Sequence, residues 1–334
     1  TISGCDTVAL AEQYGTPLYV LDEILMRKNC RAYMAAMKKY FKNGRVMYAS
    51  KALNTKAVLR IAVQEGLGID TVSGGELYTA LAAGVTPEKI ELHGNSKTEE
   101  EIQMAVENGI YCIIADGFEE LEKIETICAR LKKKIAVSLR LRPNIDVHAH
   151  HAMQTAKMDC KFGFGISDGQ AIRAAEIVAH SEYMYLHGIH CHIGSQIFEE
   201  QPFAILAEHM VSFACQVREK TGIILKEFNC GGGYGVRYTE EDTPKPFEVF
   251  IQVIAAALTK LCEENAFPMP IVSIEPGRSV VGEAGTTLYT VNGLKEITGV
   301  RTYCMCDGGM FENIRTALYD AKYTAVCASK MNQP

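Results

Sequence analysis

The sequence predicts an α/β fold: a (β/α)8 barrel of the TIM type plus a smaller β-rich domain formed from both chain ends. Three observations lead there. Short apolar runs alternate with amphipathic stretches eight times in series along the middle of the 334 residues. The unusual polar residues collect at one end of those runs. The segments before about residue 24 and after about residue 277 break the alternation and read as strands.

Residues 16–22 (TPLYVLD) read as a strand ahead of the barrel. Barrel strands are predicted over 45–50, 68–73, 90–94, 111–116, 135–142, 186–193, 225–230 and 271–275. They are rich in Val, Ile, Tyr and Leu, as strands buried on both faces should be. Helical spacing appears between them. Ala57, Val58, Ile61 and Ala62 share a face over 55–64; Ile102, Ala105 and Val106 share one over 99–107; a third helix covers 247–264. Gly66, Gly84 and Gly109 stand where helices should be capped. The first four strands recur at roughly 22 residues, the minimal strand–helix unit, and later units carry insertions. After the barrel, 286–291 and 301–306 read as strands. The barrel is therefore placed at 24–276 and the β-rich domain at 1–23 with 277–334. Such a domain would leave sheet edges unpaired, so the natural chain is expected to continue past Pro334.

Composition narrows the partners. The chain is 48% hydrophobic and 22% charged, with a formal net charge of -6. A mildly acidic surface excludes nucleic acid, which needs a concentrated basic face. The longest basic run, Lys132, Lys133 and Lys134, falls where a helix should end and complements its dipole. The 12 cysteines are scattered and form no C-x-x-C pair, the pattern of reduced thiols in a cytoplasmic protein. No apolar run reaches the roughly eighteen residues of a membrane span. The first residue is Thr1, so a removed leader, such as a plastid transit peptide, stays open.

Each barrel strand delivers polar groups at its C-terminal end, where the chemistry of such barrels sits. Strand one ends in Ser50-Lys51, strand two in Ser73-Gly74-Gly75-Glu76, and strand three in Gly94-Asn95. Strand six ends in His190-Cys191-His192-Ile193-Gly194-Ser195, strand seven in Gly231-Gly232-Gly233-Tyr234-Gly235, and strand eight in Glu275-Pro276-Gly277-Arg278. Lys51 beside an apolar wall would be a neutral amine able to add to an aldehyde; alone, it reads equally as a lysine snorkelling at the rim. The glycine run lets backbone N–H groups approach a phosphate, or makes a tight turn. Glu275 suits a pyridine nitrogen, or pairs with Arg278. His190 and His192 have metal-ligand spacing. The later strands offer Gly and Glu275 instead of further His and Asp, so no metal is expected. His148, His150 and His151 read as a solvated loop.

These motifs together, including Tyr48-Ala49-Ser50-Lys51-Ala52, resemble the alanine-racemase-fold decarboxylases that use pyridoxal 5'-phosphate (PLP). Three more segments narrow the resemblance to the diaminopimelate decarboxylases. They are the loop 144–163, which contains His148 and ends in Lys161-Phe162-Gly163; Arg237-Tyr238-Thr239-Glu240-Glu241-Asp242; and Ile314-Arg315-Thr316-Ala317-Leu318-Tyr319. The resemblance spans nearly the whole chain, departing at Phe311 and Thr316, where the family usually has Asn and Pro.

By motif, the resemblance implies catalytic roles for Lys51, His192 and Glu275. Lys51 would hold PLP as a Schiff base and His192 would stack on its ring. Ser195, Gly232, Gly233, Gly235 and Gly277 would hold its phosphate. Glu275 would pair with its pyridine nitrogen. Arg278, Arg315 and Tyr319 would grip the distal carboxylate of an amino-acid substrate, for which the arginine fork is suited. The implied reaction is decarboxylation of meso-2,6-diaminopimelate to L-lysine and CO2. The implied assembly is a homodimer with active sites at the subunit interface, completed by a Cys-Glu-Ser-Gly-Asp segment and a phosphate-binding Tyr beyond Pro334. Sister enzymes acting on ornithine, arginine or carboxynorspermidine would want an acidic pocket where this chain offers Arg278 and Arg315. An alanine racemase would carry Arg near the pyridine nitrogen. An inactive PLP-binding or regulatory homologue is the reading of another class.

Overall fold

A computed structural model of the chain describes residues 1–143, 145 and 160–330. The expectations for His148, His150 and His151 and for most of the loop 144–163 lie outside the described residues. Strand β1 (Leu18–Leu21) precedes β2 (Gly44–Ala49), β3 (Gly68–Thr71), β4 (Ile90–Leu92), β5 (Cys112–Ala115) and β6 (Ile135–Arg142). A two-residue β7 (Phe164–Gly165) pairs on β6, and β8 (Met184–His190), β9 (Glu227–Asn229) and β10 (Ile271–Ile274) follow. Hydrogen bonding runs β5-β4-β3-β2-β10-β9-β8-β6, and β6 returns to β5, closing a ring of eight parallel strands. The ring shuts where Val272 pairs with Gly44 and Ile274 with Val46.

Local chemistry sets the crossovers. Ser73 and Thr98 follow β3 and β4 closely and start helices Gly74–Ala82 and Glu99–Asn108 by accepting from the backbone N–H of Glu76 and Glu101. At Thr98 the bond is reciprocal: Glu101 reaches back to the Thr98 N–H at 2.9 Å, a capping box. Gly109 closes that helix in the left-handed conformation at φ 63°, which glycine adopts without a Cβ penalty. The lysine run begins at the C-cap of helix Phe118–Leu131, as expected.

All eight barrel strands appear where the sequence placed them, with two differences among the elements. The strand expected over 186–193 stops at His190, so His192 stands beyond it. Only Cys191 still follows the ladder, its N–H donating to the Asn229 carbonyl, before the backbone turns through Gly194 and Gln196. The strand expected over 286–291 is two strands. β11 (Gly285–Leu288) pairs antiparallel with β1, and β12 (Val291–Ile297) pairs with β13 (Arg301–Cys306). Asp307 accepts from the Thr290 N–H at 2.9 Å between them, which takes Thr290 out of either ladder.

The described chain divides into two units, Asn29–Gly235 with Lys245–Val280, and Thr1–Lys28 with Val236–Pro244 and Val281–Pro334. The first contains the barrel. Its walls are apolar, but the interior carries polar and charged residues: Asp70, Glu91, His93, His190, Asn229, Glu227 and Glu275 are all buried. Near the N-terminal ends of the strands, Glu227 accepts from Ser273 at 2.6 Å and from the Tyr111 hydroxyl, and pairs with His187 at 3.1 Å. Arg45 covers the Tyr111 ring at 3.6 Å. That polar cluster occupies the mouth opposite Lys51. All twelve cysteines are free thiols, and no helix among the described residues is long and apolar enough to cross a membrane.

Candidate active site

Lys51 sits in a single 3-10 turn, Ser50–Ala52, directly after β2. The turn is pinned from beneath: the buried Ser50 hydroxyl donates to Glu76 at 2.7 Å, and the same oxygen of Glu76 accepts from the Val72 N–H. Lys51 is exposed rather than pressed against an apolar wall, because β2 ends at Ala49 and the turn carries residue 51 outward. Its positive charge still acts on Asp70 and on His192. The turn touches the end of β10. The Ala49 N–H donates to the Pro276 carbonyl, and a Cβ on Gly277 would stand 3.0 Å from the Ala49 Cβ.

Glu275 is the most heavily held group in the barrel. Asn229 donates to Oε1 at 2.6 Å, His190 reaches Oε2 at 3.0 Å, and His93 Nε2 stands 2.9 Å from Oε1, a close ion pair without hydrogen-bond alignment. Burial alone would raise its pKa, yet His190 and His93 hold the carboxyl well below the usual range. His93 has Asp70 and Glu91 at 3.7 Å as well. Burial opposes its charge, but Asp70 and Glu275 raise its pKa to about 10, so it is an imidazolium. His190 is its opposite: burial lowers it to about 4, although Glu275 pulls the other way. His190 is therefore a neutral ring that donates from Nε2. His93, His190 and Glu275 bring ligand-type atoms within 4.8 Å of one another, with His93 already the cation among them.

His192 is driven neutral by burial and by the charges of Lys51 and Arg140. Its Nδ1 accepts from the Gly232 N–H at 3.3 Å, which leaves the ring proton on Nε2. His190 and His192 thus serve different partners, and the shared strand face suggested by their spacing is not formed.

The glycine run folds as a cradle packed on both sides. A Cβ on Gly232 would lie 2.1 Å from the Glu275 carbonyl oxygen, and one on Gly233 would lie 2.1 Å from that of Gly194. Gly231 and Gly233 have φ of 65° and 98°. Tyr234, next along, is buried with its ring stacked on Phe203 at 5.4 Å, and anchors the loop. Gly235 packs against Phe198, leaving no room for a side chain. Arg278 donates to the Ser195 hydroxyl at 3.2 Å and ties the loop after β10 to the loop after β8.

Lys51, His192, Ser195, Gly232, Gly233, Gly235, Glu275, Gly277 and Arg278 all lie in the barrel unit, at or just past the C-terminal ends of its strands. Arg315 and Tyr319 belong to the other unit, at helix Arg315–Leu318. There Arg315 donates to the hydroxyls of Tyr238 and Tyr323 at 3.1 and 2.8 Å. Sequence reasoning missed Asp70, Glu91, His93 and Asn229. Asp70 and Glu91 lie within the short strands β3 and β4, Asn229 ends β9, and His93 directly follows β4, so only the closed ring turns them to the axis.

The set fits PLP. It offers an exposed amine on a fixed turn, a glycine loop packed too closely for side chains, and an ionised buried carboxylate beside them. Asp70 Oδ1 adds a buried acceptor with no hydrogen-bond partner among the described residues.

A family profile for the pyridoxal-binding domain of pyridoxal-dependent decarboxylases matches residues 27–282. The chain is 45% identical over 332 residues to a diaminopimelate decarboxylase of Bacillus subtilis, covering 99% of this chain and 76% of that protein. It is 40% identical over 330 residues to one from Staphylococcus aureus, covering 99% and 77%. Among solved structures it resembles M. jannaschii diaminopimelate decarboxylase in complex with L-lysine, with a TM-score of 0.91 and 35% identity over 97% of this chain and 75% of that one.

Proposed function

The chain belongs to the diaminopimelate decarboxylases, and on that premise we propose how its residues carry the reaction. The activity is PLP-dependent removal of one carboxylate from meso-2,6-diaminopimelate, giving L-lysine and CO2. The observation that carries the residue assignment is Glu275. It is a buried carboxylate kept ionised by two hydrogen-bond donors and the His93 cation, next to a glycine cradle and on the strand beside the one that carries Lys51.

PLP, when bound, supplies the electron sink for the pair left behind as CO2 departs. Lys51 Nζ, exposed on its fixed turn, would be the amine that holds the cofactor aldehyde. Glu275 would face the pyridine nitrogen, where an ionised acceptor in a dry site favours the charged ring. The loop of Gly232, Gly233 and Gly235, with Ser195 and Gly277, would hold the phosphate. His192 presents a neutral ring face. Decarboxylation breaks the Cα–carboxylate bond, CO2 leaves, and a proton must replace it at Cα; Lys51, exposed at the barrel mouth, would carry that proton. Arg278, Arg315 and Tyr319 are assigned by motif to the distal carboxylate of the substrate, where a guanidinium fork discriminates against a cationic tail.

Release of CO2 from meso-diaminopimelate, lysine, ornithine and arginine tests the reading. Turnover of meso-diaminopimelate alone is expected. Preference for ornithine or arginine would move the chain to a sister activity, and PLP binding without CO2 from any substrate would make it an inactive carrier.

We extend the reading to a homodimer. Leu294, Val300 and Phe311 on the smaller unit are 70%, 67% and 80% exposed, apolar surface that a partner subunit would cover.

A further inference from the structure

Glu275 is one of three carboxylates that meet inside the barrel. Asp70 projects from β3, Glu91 from β4 and Glu275 from the end of β10, and all three are buried. One imidazole stands among them. His93 Nε2 is 2.9 Å from Glu275, 3.7 Å from Asp70 and 3.7 Å from Glu91. The other groups facing this point are Asn229 from β9, which bridges to Glu91 at 3.3 Å and Glu275 at 2.6 Å, and His190 from β8, whose ring meets His93 edge-on at 4.7 Å. Lys51 acts on Asp70 from above, and Arg140 acts on His190. His93 itself is held by backbone: its N–H donates to the Thr71 carbonyl at 2.7 Å, and the Thr71 hydroxyl donates to the Glu91 carbonyl at 2.7 Å.

We propose that His93 is a positioning residue for cofactor binding and for the reaction: its cationic ring separates Glu275 from Asp70 and Glu91 and so keeps Glu275 ionised and in one orientation. The proposal rests on the assignment of Glu275 to the pyridine nitrogen and deepens it. Burial already raises Asp70 to about 6 and Glu91 to about 7, and without the His93 cation the mutual repulsion of the three carboxylates raises all of them, Glu275 included. A protonated Glu275 would be neutral, and it would no longer offset the charge of an ionised pyridine ring. His190 cannot substitute, because as a neutral ring it contributes one N–H and no charge.

The decisive experiment pairs His93→Gln with Glu91→Gln. The single variant His93→Gln keeps a donor of similar reach but removes the charge. Its apoenzyme is expected to bind PLP about tenfold more weakly or worse, the ratio that one pKa unit represents. The absorbance of the bound cofactor should show the neutral pyridine at lower pH than in the parent, with kcat falling more than KM rises. Adding Glu91→Gln removes the charge that His93 had screened and should restore most of the PLP affinity and the parent absorbance profile. A merely structural histidine would not be rescued this way. Unchanged PLP affinity in His93→Gln, or a loss that Glu91→Gln does not repair, overturns the proposal.

Should His93→Gln fail to fold, nitrogen-15 NMR of histidine-labelled parent apoprotein decides. Both ring nitrogens of His93 should carry protons at neutral pH, and a neutral His93 ring there also overturns the proposal. The PLP affinity, the cofactor absorbance and the NMR readout do not depend on substrate identity. Loss of CO2 release from meso-diaminopimelate in the parent would instead count against the assigned activity.

Discussion

Single residues carry the sharpest tests. Lys51 stands on a turn whose anchors, Ser50 and Glu76, do not involve its own side chain. Lys51→Ala should therefore fold normally and lose CO2 release by several orders of magnitude. Borohydride reduction of the parent followed by peptide mapping should place the pyridoxyl group on Lys51; labelling elsewhere would refute that role. Gly233→Ala forces a Cβ within 2.1 Å of the Gly194 carbonyl at φ 98°. It should cost about 1–3 kcal/mol of stability, readable in a urea titration, and weaken PLP binding. His190 gives a pH test. Its folded pKa of about 4 lies below the unfolded value of about 6.5. The unfolded chain thus binds more protons between those limits, and this residue's contribution to stability falls as pH drops from about 6.5 towards 4. His190→Gln should flatten the pH dependence of the urea midpoint in that window by about one proton, whereas an unchanged slope would show the ring is not neutral in the fold. At this scale the sequence pointed to Lys51, His192 and Glu275 because each stands at the end of an apolar run. Asp70 and His93 stayed hidden, because nothing local distinguishes a charge that faces a barrel axis from one at a strand end.

At the scale of elements, the short strands were legible because they are apolar on both faces, a pattern only a covered parallel sheet tolerates. Their ends were less legible. His192 lies in an unbroken run of strand-like residues, and the turn after Cys191 is set by Gly194 packing on Gly233, a partner 39 positions away. The division between β11 and β12 is likewise imposed from a distance, by Asp307 on Thr290. Where an element boundary is local, it is testable locally. Thr98→Ala removes one side of the capping box that starts helix Glu99–Asn108 and should cost about 1 kcal/mol in thermal or urea unfolding, with PLP affinity untouched. A larger loss, or a change in PLP affinity, would mean that the cap also fixes the neighbouring Gly94–Asn95 turn.

For the whole molecule, the fold class followed from eight repeats of one pattern, but the charged interior did not. A barrel core is read from sequence as apolar, whereas this one holds a polar cluster at each mouth: Glu275 with His93 and His190 at one, and Glu227 with Tyr111, His187 and Arg45 at the other. Assembly belongs to this scale too. Light scattering coupled to size exclusion should give twice the 36.8 kDa chain mass, and polar substitutions at Leu294 and Phe311 should lower it towards the monomer. A monomer at micromolar concentration would remove the homodimer from the reading.

The seam between Val272 and Gly44 has a consequence in time as well as in space. It joins stretches more than two hundred positions apart, among the most distant pairings a domain of this size can make, and such late partners slow assembly. A ribosome releases residue 51 long before residue 275 emerges, so the nascent polypeptide has its amine but not the acid that must face it. Vitamin capture during translation should accordingly wait for the eighth strand, and a chain stalled short of it should emerge empty.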